Sequence, residues 1–281
     1  MAKSRTHCEV DEGVIGLAQQ RVVYITGITG RIGRSLVRAL RDEYDLRGSS
    51  LEGGSLPGAR VRAGDITDGD FLRREFHEVD TVVHLAADPS PTAPWSSVLK
   101  NNIAGTYEVY EAARVAGVRR IVFASTNHVT GILTERWQPM GPDVPVRPDG
   151  YYGVSKACGE LLGRYYGDRY GLSSICLRIG WYIGDDEEKI IRTFAPRRDA
   201  YPLMWLSDGD LVRLFRCAIE AQDILFGIYY GMSNNRHMLW DITNARAELG
   251  YEPQDDLAEL FARHGLPYPH PPAEGGRPDR G

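Results

Sequence analysis

Val22-Val23-Tyr24-Ile25-Thr26-Gly27-Ile28-Thr29-Gly30-Arg31-Ile32-Gly33 decides the fold. Five β-branched or aromatic residues run into three glycines spaced three apart, and the amphipathic stretch 34–41 follows at once. That order describes a buried strand, a tight turn and a helix. Gly27 permits the turn, Gly30 lets backbone approach a pyrophosphate, and Gly33 lets the helix pack closely on the sheet; Thr29, Arg31 and Ile32 fill the places between. The positive end of the helix then faces the phosphates. The stretch reads as the phosphate half of a dinucleotide site, with an ordinary strand-to-helix turn as the alternative.

Working outward, short β-branched runs recur at 61–63, 81–86, 120–125, 174–179 and 228–231. Most lack a polar face, as strands buried on both sides do. Amphipathic stretches at 32–41, 68–76, 97–116, 152–170, 208–221 and 241–249 separate them. The alternation predicts an α/β fold: a Rossmann-type doubly wound parallel sheet with helices on both faces. One domain is expected over 21–264, with a small C-terminal substrate-binding cap contributed mainly from about Leu172 onward. Residues 1–20 read as an N-terminal extension and 265–281, rich in proline and glycine, as a disordered tail.

Composition narrows the function. Of 281 residues 42% are hydrophobic and 25% charged, the proportions of a soluble globular protein. Thirty-three basic against 38 acidic residues leave a net charge of −5, and no Lys/Arg run offers a footprint for nucleic acid. No apolar run is long enough to cross a membrane, and Glu9, Asp11 and Glu12 stand where a signal peptide needs apolar residues. Cys8, Cys158, Cys176 and Cys217 are scattered without a CxxC pair, which reads as reduced thiols in a cytoplasm. The acidic run 185–188 reads as a solvated loop rather than a cation site.

A second constellation is Tyr152-Gly153-Val154-Ser155-Lys156. Tyrosine and lysine four residues apart share a helical face. A phenol with a pKa of about 10 is a poor base at neutral pH, and a neighbouring ammonium and an oxidised nicotinamide both favour the phenolate.

The GxxGxxG spacing together with YxxxK resembles the extended short-chain dehydrogenase/reductase family, the group of NAD-dependent epimerases and dehydratases. The resemblance spans about Arg21 to Asp256 and implies further roles. Gly64-Asp65-Ile66 resembles the adenine-contacting segment, with Asp65 and Ile66 beside the base. His84-Leu85-Ala86-Ala87 resembles the fourth-strand end, where Leu85, Ala86 and Ala87 lie against the cofactor ribose and His84 is a packed strand residue. Asn101 to Thr106 resembles the entry to the long helix, with Asn102 holding the helix and the proton path. Val129 and Gly131 match a VxG landmark that places Thr126 at the catalytic Ser/Thr position, with Ser125 nearer the cofactor. Tyr152, Lys156 and Thr126 are thus the implied catalytic residues, Tyr152 and Lys156 also meeting the cofactor. Self-association through the two long helices is a further implication.

Cofactor choice departs from the NAD pattern. Ser50 stands where an acid normally receives the ribose 2′-hydroxyl and repels a 2′-phosphate. NAD or NADP is therefore expected, with Arg31, Arg34 or Arg47 as 2′-phosphate partners or as solvated surface arginines.

Ser125-Thr126-Asn127-His128-Val129 resembles the uronate dehydrogenases of this family, which oxidise the anomeric carbon of free hexuronic acids to lactones. Pro94-Trp95, Arg147-Pro148-Asp149, Arg178-Ile179-Gly180 and Trp240-Asp241 agree with that branch. By carry-over Ser90, Thr126, Asn127, His128 and Tyr152 meet the sugar, and no metal is needed. Two positions depart from it: Trp181 stands where those enzymes carry a serine, and Arg197 or Arg198 comes nearest to their carboxylate-binding arginine across a segment of different length. Arg198 is carried as a substrate residue, and a neutral aldose stays open beside a uronate. A nucleotide-sugar epimerase or dehydratase, and a non-catalytic cofactor sensor, are the competing readings.

Overall fold

The computed structural model describes residues 20–134, 139–197 and 199–268. Seven strands, β1 (Val22–Thr26), β2 (Asp45–Ser50), β3 (Arg60–Ala63), β4 (Thr81–His84), β5 (Arg120–Thr126), β6 (Ser173–Ile179) and β9 (Phe226–Gly231), form one sheet in the order β3-β2-β1-β4-β5-β6-β9. Every pairing is parallel. β1, β4, β5 and β6 are buried along their whole length, which is why their sequences show no polar face.

Alternate side chains leave each strand on opposite faces, so two layers of core form. On one face Val23, Ile25, Val83, Val122 and Ile175 meet Leu36, Val37 and Leu40 of the helix Arg31–Leu40 and Leu211, Leu214 and Phe215 of the helix Asp208–Glu220. On the other, Tyr24, Val82, Ile121 and Phe123 meet the helices Gly69–Glu75, Gly105–Ala116 and Tyr151–Tyr170. The doubly wound α/β sheet expected from the alternation is the observed one.

Past residue 172, β6, β9 and the helix Asp208–Glu220 complete the sheet and one flanking layer. The rest makes a small lobe over the C-terminal strand ends. In it β7 (Trp181–Tyr182) pairs with β8 (Trp205–Leu206), and Ile190 and Phe194 pack on Leu257 and Phe261. Asp208 ties this lobe to the first helix. Its carboxylate accepts from Ser35, from Tyr182 Oη at 2.5 Å and from Arg38 at 2.7 Å.

Local boundaries differ from the pattern for identifiable reasons. β4 ends at His84 rather than 86, because the N–H groups of Leu85 and Ala86 turn onto the Thr26 hydroxyl, each at 3.1 Å. The stretch 97–116 is not one α-helix: Val98–Ala104 is π-helical before Gly105–Ala116 begins. The acidic run is no loop. Asp186 accepts from Lys189 N at 3.0 Å and caps the helix Glu187–Phe194, whose first turn holds Glu187 and Glu188. Among the described residues no acidic, histidine or cysteine cluster could hold a metal, and no helix is long and apolar enough to cross a membrane.

Candidate active site

Strand order reverses between β1 and β4, and a crevice opens there at the carboxyl ends of the strands. Gly27 sits at φ 68°, and a Cβ on it would lie 3.0 Å from the Ala86 backbone, so only glycine lets this turn press on the end of β4. Gly30 is the N-cap of the helix Arg31–Leu40; no side chain caps that end and no acid stands in its first turn. Its N–H groups are therefore available to an anion. A Cβ on Gly33 would overlap the Ile28 carbonyl. The loop fits a dinucleotide pyrophosphate. Arg34 Nε donates to Thr29 O at 2.7 Å and Arg31 Nη1 to Tyr182 O at 3.3 Å, while Ile32 packs at the edge of the core.

The adenosine side is polar but self-contained. Ser50 Oγ donates to Gly53 O at 2.8 Å. Asp65 accepts from Thr67 N at 2.9 Å and pairs with Lys100 at 3.6 Å, and those contacts hold its carboxyl below the usual range. Ile66 is buried beside it, whereas Asp68, not Asp65, caps the next helix. Arg47 is occupied by Asp45 at 3.0 Å.

Thr26 and His84 lock β1 to β4. The Thr26 hydroxyl, which already accepts twice, donates to His84 Nδ1 at 2.8 Å, so His84 Nε2–H donates to Thr106 at 3.0 Å. Burial, with Lys156 nearby, lowers His84 to about 3 and keeps the ring neutral.

Thr126 ends β5, and the helix Tyr151–Tyr170 brings Tyr152 and Lys156 to it. The Thr126 hydroxyl bonds the Tyr152 phenol, and Lys156 Nζ lies 5.8 Å from the Tyr152 ring centre and 4.9 Å from that of Phe123. Burial pushes Tyr152 up to about 12 against the Thr126 contact, and the Asp88 charge adds to the rise. Burial lowers Lys156 to about 8. The phenol is thus held protonated by the protein alone, the reverse of the depression expected from a neighbouring ammonium.

Asn102, in the π-helical turn, joins three elements. Its carbonyl accepts from Asp88 N at 2.7 Å, and its amide donates to Asp88 O and Ser155 Oγ, each at 3.0 Å. Ser90 Oγ bonds Thr92 at 3.1 Å, and Ser90 N donates to Asp88 at 3.1 Å.

Beyond Thr126 the site rests on a buried side-chain chain. Ser125 Oγ donates to Glu160 at 2.6 Å, and Arg178 clamps Glu160 with two bonds of 2.9 Å. Arg178 reaches Tyr230 Oη at 3.3 Å, which donates to Thr130 at 3.0 Å, and Thr130 in turn donates to Asn127 O at 3.2 Å. Asn127 Nδ2 contacts Met204 Sδ at 2.8 Å. His128 packs edge-on to Tyr152, ring centres 5.7 Å apart, and its Nδ1 meets both Asp149 oxygens at 2.8 and 3.0 Å.

Arg198 lies outside the described residues. Arg197 stacks on Trp181 and Tyr201 and pairs with Asp199 at 3.0 Å. Sequence reasoning missed Glu160, Asp88 and Asp149 as parts of the site. Glu160 carried a signal, an acid four residues past Lys156 on the same helical row.

The family model for "NAD dependent epimerase/dehydratase family" matches residues 23–221, which hold the glycine loop, Thr126, Tyr152 and Lys156. The chain belongs to that family. Among relatives, the NAD-dependent glucose-6-phosphate dehydrogenase of Haloferax volcanii is 39% identical over 265 residues, 87% of this chain and 97% of that protein. The L-arabinose 1-dehydrogenase (NAD(P)(+)) of the same organism is 39% identical over 85% of this chain and 98% of its own. The crystal structure of uronate dehydrogenase from Agrobacterium tumefaciens superposes with a TM-score of 0.75 at 33% identity, covering 87% of this chain and 88% of that one. A variant of that enzyme has been solved with NAD. NAD is accordingly the cofactor of the family, and the relatives are NAD(P)-dependent sugar dehydrogenases acting on CH–OH groups.

Proposed function

We propose that this protein is a cytoplasmic sugar 1-dehydrogenase that oxidises the C1 hydroxyl of a free hexuronic acid or related aldose to the lactone, with NAD or NADP as acceptor. The observation that carries this reading is the meeting of Thr126, Tyr152 and Lys156 at the end of β5, beside a glycine loop open to a pyrophosphate.

The bound nicotinamide supplies the hydride acceptor and a positive charge. Tyr152 takes the C1 hydroxyl proton as the C1–H bond breaks. Its buried phenol, pushed up to about 12, ionises only with positive charge at hand. Lys156, lowered to about 8, still carries that charge at neutral pH and also reaches the cofactor ribose. Thr126 donates to the reacting oxygen, and Asn127, His128 and Ser90 receive sugar hydroxyls. Gly27, Thr29, Gly30, Arg31, Ile32 and Gly33 hold the pyrophosphate. Ser50, Asp65 and Ile66 face the adenosine, and Leu85, Ala86, Ala87, Asn102 and Ser125 line the ribose and nicotinamide side.

One observation favours an uncharged aldose over a uronate. Arg178 is bound by Glu160, Arg197 by Asp199, and Trp181 occupies the ground between them and Thr126. Initial rates of NADH or NADPH formation with glucuronate, galacturonate, L-arabinose, glucose and glucose 6-phosphate test the proposal. Cofactor reduction by at least one free sugar is expected. No reduction by any, with conversion of nucleotide sugars at constant cofactor redox state, would replace it with the epimerase reading. We also propose a homo-oligomer through the two long helices, which expose Tyr107, Leu161 (71%) and Tyr165; sedimentation equilibrium reads this directly.

A further inference from the structure

We propose that Asp149 is a positioning residue that acts on the sugar through His128, and that Gly131 is a glycine in order to leave room for it. The inference rests on the sugar dehydrogenase reading above.

A carboxylate only accepts, so with both Asp149 oxygens within 3.0 Å of His128 Nδ1 that nitrogen carries the proton. In the neutral ring Nε2 is then an acceptor, suited to a sugar hydroxyl. The same orientation sets the His128 ring edge-on against Tyr152. Side-chain exposures of 24% for His128 and 32% for Asp149 put the pair at the mouth of the site rather than in the core.

Asp149 has no competing duty of the usual kind. An aspartate just before a helix commonly caps it, yet the helix Tyr151–Tyr170 has Gly150 as N-cap and no side-chain cap. The segment carrying Asp149 is fixed from both sides: Arg147 N donates to Val129 O at 2.9 Å and Ile132 N to Arg147 O at 3.1 Å. Pinned in this way, the carboxylate sits over Gly131, where any Cβ would overlap it. Gly131 has φ −57°, ordinary helical backbone that alanine also adopts, so the requirement for glycine there comes from Asp149 and not from the chain. Gly153 is the counterpart on the helix, where a Cβ would overlap the His128 carbonyl.

The test is steady-state kinetics on the best sugar of the panel with Asp149→Asn, Gly131→Ala, His128→Ala and the His128→Ala/Asp149→Asn double variant. Asparagine can donate to Nδ1 and free the ring to take the other tautomer. Asp149→Asn is expected to raise the sugar KM about tenfold while the cofactor KM and kcat stay within about threefold. Gly131→Ala, which displaces the carboxylate without changing a charge, should reproduce that pattern. In the His128→Ala background Asp149→Asn should change nothing further. A wild-type sugar KM in Asp149→Asn, or an undiminished effect of it without His128, overturns the inference and leaves the dehydrogenase standing. Absence of turnover with every sugar defeats the dehydrogenase reading and this one with it.

Discussion

On the β1 and β4 side the cleft is built from backbone: the Gly27 turn against Ala86, an uncapped helix end at Gly30, and Gly33 under Ile28. On the β5 and β6 side it is built from side chains, running from Ser125 through Glu160, Arg178 and Tyr230 to Thr130, whose last link joins residues 100 apart in sequence. The backbone wall can accept a pyrophosphate without regard to what is oxidised. The side-chain wall sets what sits opposite, and each of its members depends on the next. Cofactor binding and sugar turnover should therefore fail separately.

The largest expected effect separates the two walls most cleanly. Tyr152→Phe should lower kcat by about a thousandfold while NADH fluorescence titration gives an unchanged cofactor affinity; equal losses in both would erase the distinction. Next comes Glu160→Gln, which leaves the Arg178 guanidinium buried without its carboxylate. It should cost about 3 kcal/mol in urea unfolding with little effect on the affinity of the remaining folded protein for NADH.

His84 sits where the walls meet and gives a pH test. Its folded pKa of about 3 lies below the unfolded value of about 6.5, so the stability it confers is complete above pH 6.5 and is lost as pH falls toward 3. Between pH 7 and 5 the wild type should lose about 2 kcal/mol more than His84→Gln. Matching slopes in the two proteins would mean that this ring is protonated in the fold. The smallest effect belongs to the adenosine end: Ser50→Asp restores a carboxylate and should shift the NAD/NADP ratio of kcat/KM about tenfold toward NAD.

The same division explains what could be read in the chain. Gly27, Gly30 and Gly33, and Tyr152 with Lys156, are close in sequence, so spacing alone exposes their geometry. Strand burial was equally plain, because β-branched runs without a polar face have few other uses. The helix Glu187–Phe194 was not, since its acidic first turn looks like a solvated loop until Asp186 is seen to cap it. Ser125 and Glu160 lie 35 residues apart, and Asp149 meets His128 across 21. Those pairings arise only when β5, the segment at 147–149 and the long helix fold onto one another. The pKa of Tyr152 escaped for a related reason: the sequence shows which charges are near, but not how much water the fold removes.

Asp208 gathers three donors, Ser35 and Arg38 from the first helix and Tyr182 from the small lobe. The lobe is thereby riveted to the element that would cradle the pyrophosphate, and prising the two apart must break all three bonds. A sugar arriving at this enzyme meets a jaw already braced on its hinge side.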